Sequence, residues 1–114
     1  MLKITDYSFG KILINNKLYR KDLIITGEQV YPGWWRNKGH SISLGDISLI
    51  IDYQPDIMFI GTGKMGMMRV SDDFTTTVKS VGIDEVIYAR SGQIVTVFNQ
   101  CKKERKALAI HLTC

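Results

Sequence analysis

Gly61-Thr62-Gly63-Lys64-Met65-Gly66 follows a short apolar run. Its G-x-G-x-x-G spacing is that of loops whose backbone N–H groups approach a phosphate, because residues without Cβ let the main chain come close to an anion. With the cations of Lys64 and Arg69 close by in sequence, Gly61, Thr62, Gly63, Lys64 and Arg69 form a candidate anion-binding set. A dinucleotide site asks for more. The next helix begins near Ser71, too late for its N-terminus to face the loop, and the following strand opens on Asp84 and Glu85 and ends at Arg90, so no acid stands at its far end for a ribose. The other reading of these glycines is a tight turn with positive φ, or close backbone packing.

His40 and His111 are the two histidines, able in principle to share a metal or a proton. His111 sits between Ile110 and Leu112 in strand-like sequence, which favours a hydrogen-bonded structural role; His40 stands in a Gly-containing basic loop and is expected to be exposed. Cys114 lies three residues after His111, and an i, i+3 pair in a strand projects to opposite faces, so nucleophilic catalysis by this pair is not expected. Trp34-Trp35-Arg36-Asn37-Lys38 mixes aromatics with cations. That mixture suits a protein interface better than a base-stacking series, and Trp34, Trp35, Arg36 and His40 are the interface candidates. Most acids have capping or surface explanations. Asp22 is the exception, an acid in an apolar strand region that invites pairing with Arg20 or with a cation from a loop.

These residues must be placed by a chain of 114 residues, the size of one domain, read here as spanning 1–114. The hydrophobic fraction of 45% and charged fraction of 23% are those of a globular domain with its own core. No apolar run approaches the ~20 residues that cross a bilayer, and residues 1–6 lack the features of a secretory signal, so the expected compartment is the cytoplasm. Cys101 and Cys114 lack metal-ligand spacing and are expected as reduced thiols. The net charge of +4 admits polyanions, but its densest run, 102–106, is broken by Glu104 and reads as a solvated turn. Nucleic acid is therefore not an expected partner.

Residues 9–14 and 18–25 read as strands joined by Asn15-Asn16-Lys17, and a turn at 26–28 leads into 29–31. Residues 34–40 are irregular. Ser43 with Asp46 resembles a capping box opening a helix that Pro55 stops, followed by a buried strand over 56–60. Ser71 caps a second helix ending at Gly82, a strand covers 84–89, and a third helix opens at Ser91 despite the β-branched run Ile94-Val95-Thr96-Val97. Residues 106–112 close the chain as a strand. Strands separated by helices imply crossovers and a largely parallel or mixed sheet covered by helices.

Several features occur together in this order: Phe9-Gly10, Tyr19-x-x-Asp22, tryptophans and a basic segment before His40, Ile60-Gly61-Thr62-Gly63 after a strand, Phe98-Asn99, and His111-Leu112-Thr113-Cys114. The pattern resembles the Mth-domain family of conserved hypothetical proteins over essentially the whole chain. Relatives in that family include the adipogenesis-associated Mth domain-containing protein and a mitochondrial complex I assembly factor. The resemblance implies an α/β fold in three layers, a central mixed sheet flanked by helices with an additional N-terminal β-hairpin layer. It also implies partner binding of the assembly-factor kind. The expectation from sequence is a small cytoplasmic protein-binding or assembly module that is not an enzyme and carries no cofactor or metal, with an unidentified protein as partner. The alternative is an anion- or nucleotide-binding enzyme using the loop 61–66, with no catalytic residue assigned.

Overall fold

Asn15 and Asn16 adopt positive φ angles of 49° and 68°, the conformation that a tight hairpin turn requires and that Asn tolerates. In the computed structural model, which describes residues 2–114, they join β2 (Lys11–Ile14) to β3 (Lys17–Tyr19). β1 (Ile4–Ser8) pairs antiparallel with the other side of β2, completing a three-stranded sheet. The pattern predicts one strand through 18–25, but the chain leaves this sheet after Tyr19. Every residue of β4 (Leu23–Thr26) is buried, and β4 belongs to a second, larger sheet. Phe9 and Gly10, expected to begin a strand, form the turn between β1 and β2, with Gly10 at φ 75°.

The larger sheet has five strands in the order β5 (Gln29–Pro32), β4, β8 (Lys106–His111), β6 (Ile57–Thr62), β7 (Glu85–Ala89). β8 runs antiparallel to β4 and parallel to β6, and β6 runs parallel to β7. Both faces are covered, which explains why β6 and β8 are buried at every position instead of alternating. One face presents Leu23, Ile25, Phe59, Leu108 and Ile110 to α3 (Ser91–Gln100) and to Ile12 and Ile14 of the small sheet. Phe59 meets Phe98 edge to face at 5.6 Å, a favoured aromatic geometry. The other face presents Ile24, Met58, Ile60, Ala107 and Ala109 to residues of α1 (Ser48–Tyr53) and α2 (Asp72–Ser80). The result is the expected α/β arrangement in three layers.

Local chemistry sets the helix boundaries. The Asp46 carboxylate accepts from the Ser43 N–H and hydroxyl, both at 2.9 Å, but the helix expected there opens as a 3-10 turn, Leu44–Ile47, before α1. Ser71 caps α2 by accepting from the Phe74 amide at 3.1 Å. The β-branched run at 94–97 is helical because Ile94, Val95 and Phe98 together bury one face of α3. Within the basic run, residues 102–105 are exposed as expected, whereas Lys106 is buried. Its ammonium donates to the Phe98 and Cys101 carbonyls and satisfies the C-terminus of α3. No helix among the described residues is long and apolar enough to cross a membrane.

Candidate functional site

The pairing of Leu23 in β4 with Ile110 in β8 sets Asp22 beside His111 at one end of the central sheet. Asp22 Oδ2 lies 2.8 Å from His111 Nδ1 and accepts from Arg36 Nη1 at 2.9 Å, while Oδ1 accepts from the Leu112 amide at 2.8 Å. Arg36 Nη2 also lies 3.1 Å from His111 Nδ1. A carboxylate only accepts and a guanidinium only donates, so a proton on Nδ1 serves Asp22 and leaves Arg36 its other acceptors. Those include the Gly39 carbonyl, which accepts from Nη2 at 2.9 Å. His111 Nε2 is enclosed and has no hydrogen-bond partner among the described residues. Burial alone would raise the Asp22 carboxyl, but hydrogen bonds from His111, Leu112 and Arg36, with the charge of His111, outweigh it and hold the pKa below the ordinary value. The loop cation predicted for Asp22 is thus Arg36, not Arg20.

This cluster fastens the irregular segment 34–40. The Arg36 guanidinium stacks on Trp34 at 4.6 Å. Trp34 donates its amide to the Asp22 carbonyl and its indole N–H to the Asp46 carbonyl, both at 2.8 Å. The interface candidates therefore divide: Trp35 and His40 are exposed, Trp34 is half-buried, and Arg36 is enclosed within the ion pair. The His40 ring packs edge-on against His111 with centroids 6.1 Å apart.

The glycine loop meets the same end of the sheet. Gly63, at φ 104°, donates its amide to Ser91 Oγ at 2.9 Å, and Ser91 Oγ donates to the His111 carbonyl at 2.6 Å. The Lys64 amide donates to the Thr113 carbonyl at 2.6 Å and the Met67 amide to the Cys114 main-chain oxygen at 3.0 Å. These amides are therefore engaged within the chain, by the Ser91 side chain and by the backbone of Thr113 and Cys114. A Cβ at Gly63 would lie 2.3 Å from the Cys114 carbonyl carbon, and one at Gly61 would lie 2.7 Å from Ile110 Cγ1. Thr62 donates its hydroxyl to the Ala89 carbonyl at 3.0 Å. Of the candidate anion-binding residues, only Lys64 and Arg69 are exposed; the Arg69 amide donates to the His40 carbonyl at 2.8 Å.

Around this anchored end stand Trp35, Met65, Met67 and Phe9, which are 74%, 65%, 54% and 52% exposed. Each belongs to a segment tied to residues 111–114. Arg36 contacts His111, Lys64 and Met67 bond to Thr113 and Cys114, and the Gly10 amide donates to the Leu112 carbonyl at 2.9 Å. Sequence reasoning did not assign Ser91 its link between β6 and β8. An N-terminal serine on a helix reads as a cap, and its burial follows only from the pairing of those strands. Among the described residues, no group of three or more His, Cys, Asp or Glu could hold a metal. Both thiols are free. A cleft of about 630 Å³ lies at the opposite end of β4, lined by Thr26, Gly27, Tyr53 and Arg105, and includes no residue of the Asp22 cluster.

Among the described residues, two sheets and three α-helices, with a carboxylate-centred anchor beneath exposed apolar side chains, define an α/β protein. Residues 4–113 match the family described as protein of unknown function (DUF498/DUF598), and the chain belongs to that family. Its fold is similar to that of a conserved hypothetical protein, PH1505 from Pyrococcus horikoshii OT3, with TM-score 0.83 and 22% identity over 98% of this chain and 99% of that one. It is also similar to a solved protein called MT938, with TM-score 0.78 and 18% identity over 100% of both chains. An outer membrane protein from Bartonella henselae superposes with TM-score 0.77 and 19% identity over 96% of each chain. At these identities the likeness is one of fold. No curated protein matches the chain.

Proposed function

We propose that the chain is a one-domain, non-enzymatic protein-binding or assembly module of the Mth-domain kind, working in the cytoplasm. Its binding surface is the end of the molecule around residues 111–114. The observation that carries this reading is the group of Trp35, Met65, Met67 and Phe9, exposed on segments that the Asp22 cluster and the 112–114 backbone hold in place. Aromatic and Met side chains on a fixed support are what protein interfaces enrich, and prior anchoring lowers the entropy lost on binding. Lys38, Lys64 and Arg69 are exposed in the same segments, which suits a partner presenting apolar side chains flanked by acids. The binding is tested by affinity capture from cell extract with the parent chain and with the Trp35→Ala/Met65→Ala variant. A specific protein retained by the parent and lost with the variant is expected, since losing two hot-spot side chains costs about 2 kcal/mol or more, roughly thirtyfold in affinity. Indistinguishable capture profiles from two equally folded proteins would reject this surface.

A further inference from the structure

A sheet edge presents unpaired N–H and C=O groups, and proteins that remain monomeric block them. The edges here are treated unequally. At β1, Asn99 acts as a plug: its Nδ2 donates to the Ile4 carbonyl at 2.7 Å and its Oδ1 accepts from the Ile4 amide at 3.0 Å, beside an irregularity in the register. β3 is three residues long and begins with a lysine. β5 ends in Pro32, which has no amide to donate. β7 has no plug and no proline, and its one charged residue, Glu85, is paired with Lys103 of the same chain. It is five residues long, Glu-Val-Ile-Tyr-Ala, lies outermost next to β6, and exposes Ile87 and Tyr88.

We propose that β7 pairs antiparallel with β7 of a second copy of this chain, joining the two five-stranded sheets into one. The flanking residues specify the register. With Ile87 opposite Ile87 of the second copy, Val86 faces Tyr88, and Asp84 faces Arg90. On one face, therefore, a β-branched residue meets an aromatic one, and opposite charges meet at both ends. Glu85 falls opposite Ala89 and keeps its own partner, Lys103, at 2.5 Å within the same chain. Two-fold symmetry forms each of these pairs twice, so the strand is complementary to itself in apolar contacts and in charge. Of these residues, Arg90 packs its side chain beside Gly66; association is read as a change in mass, separately from partner capture.

Sedimentation equilibrium over a broad concentration range measures the association directly. The parent's weight-average mass is expected to rise from 13.0 kDa toward twice that value. Ile87→Lys is expected to hold the chain at monomer mass. Asp84→Arg and Arg90→Asp singly are each expected to weaken association by about tenfold or more, because each replaces two attractive cross-strand pairs by repulsive ones. The double exchange Asp84→Arg/Arg90→Asp is expected to recover it. These residues are exposed, so far-UV circular dichroism should show the same fold in every variant. A parent that stays at 13.0 kDa at every concentration overturns the proposal. So does a double exchange that associates no better than the single variants.

Discussion

Asn in place of Asp22 has almost the same shape but one oxygen fewer, and the geometry leaves it no good orientation. With its oxygen toward the Leu112 amide, its NH2 faces Arg36 Nη1, a donor against a donor; flipped, the NH2 faces the Leu112 N–H instead. In either case the guanidinium loses its carboxylate. Removing one partner of a buried ion pair typically costs about 3–5 kcal/mol. The side chains of Arg36 and Asp22 retain 6% and 18% exposure, so solvent relieves part of this, and about 2–3 kcal/mol is expected, roughly 10 °C in Tm for a domain of this size. Urea unfolding followed by circular dichroism measures it, with Arg36→Met and the double variant completing a cycle. A loss below about 0.5 kcal/mol, or strictly additive single variants, would refute the anchor. The carboxyl titrates below its ordinary 3.8 in the folded chain. Its contribution is therefore complete above that value and disappears as the pH falls through the lower folded pKa, so parent and Asn variant should converge only in acid.

Four further perturbations test the supporting structure. Gly63→Ala places a Cβ 2.3 Å from Cys114 backbone at φ 104°, and a loss of about 4 kcal/mol or more is expected in the same unfolding assay. Gly66→Ala meets the flexible Arg90 side chain at 3.3 Å and Thr62 Oγ1 at an ordinary 3.6 Å, and should cost about 1 kcal/mol from its left-handed backbone. Asn99→Leu removes both hydrogen bonds to Ile4 and should cost about 1–2 kcal/mol, with faster amide exchange along β1 as a second reading. Burial lowers the Lys106 pKa below its ordinary 10.5. The unfolded chain then binds the extra proton between the two values, so the parent should gain stability relative to Lys106→Met as the pH rises toward 10.5.

The parts of the fold that depend on local chemistry were legible in the sequence. Asn15-Asn16, the Ser71 cap and the apolar run at 56–60 each carry their conformation in neighbouring residues. Where tertiary packing decides, neighbouring residues carry no such signal. Nothing local to residues 18–25 says that the chain changes sheets between Tyr19 and Leu23, because the cause is β8, which pairs with β4 from more than eighty residues away. For the same reason Asp22 stood out as an unexplained acid, while its partners His111 and Leu112 could not be named. The mixture of aromatics and cations makes Arg36 an interface candidate; it turns inward because the Asp22 carboxylate lies beneath it. The glycine spacing at 61–66 is visible, but the partners of its amides, Ser91 Oγ for Gly63 and the Thr113 carbonyl for Lys64, are not.

Site-specific photo-crosslinking in living cells tests the binding surface most directly, with a benzophenone side chain placed in turn at Trp35, Met65 and Met67, and at exposed Asp52 on α1 as the control. The account predicts that the first three positions yield a common protein adduct and that Asp52 does not. Adducts independent of position, or none at the three exposed apolar sites, would contradict it.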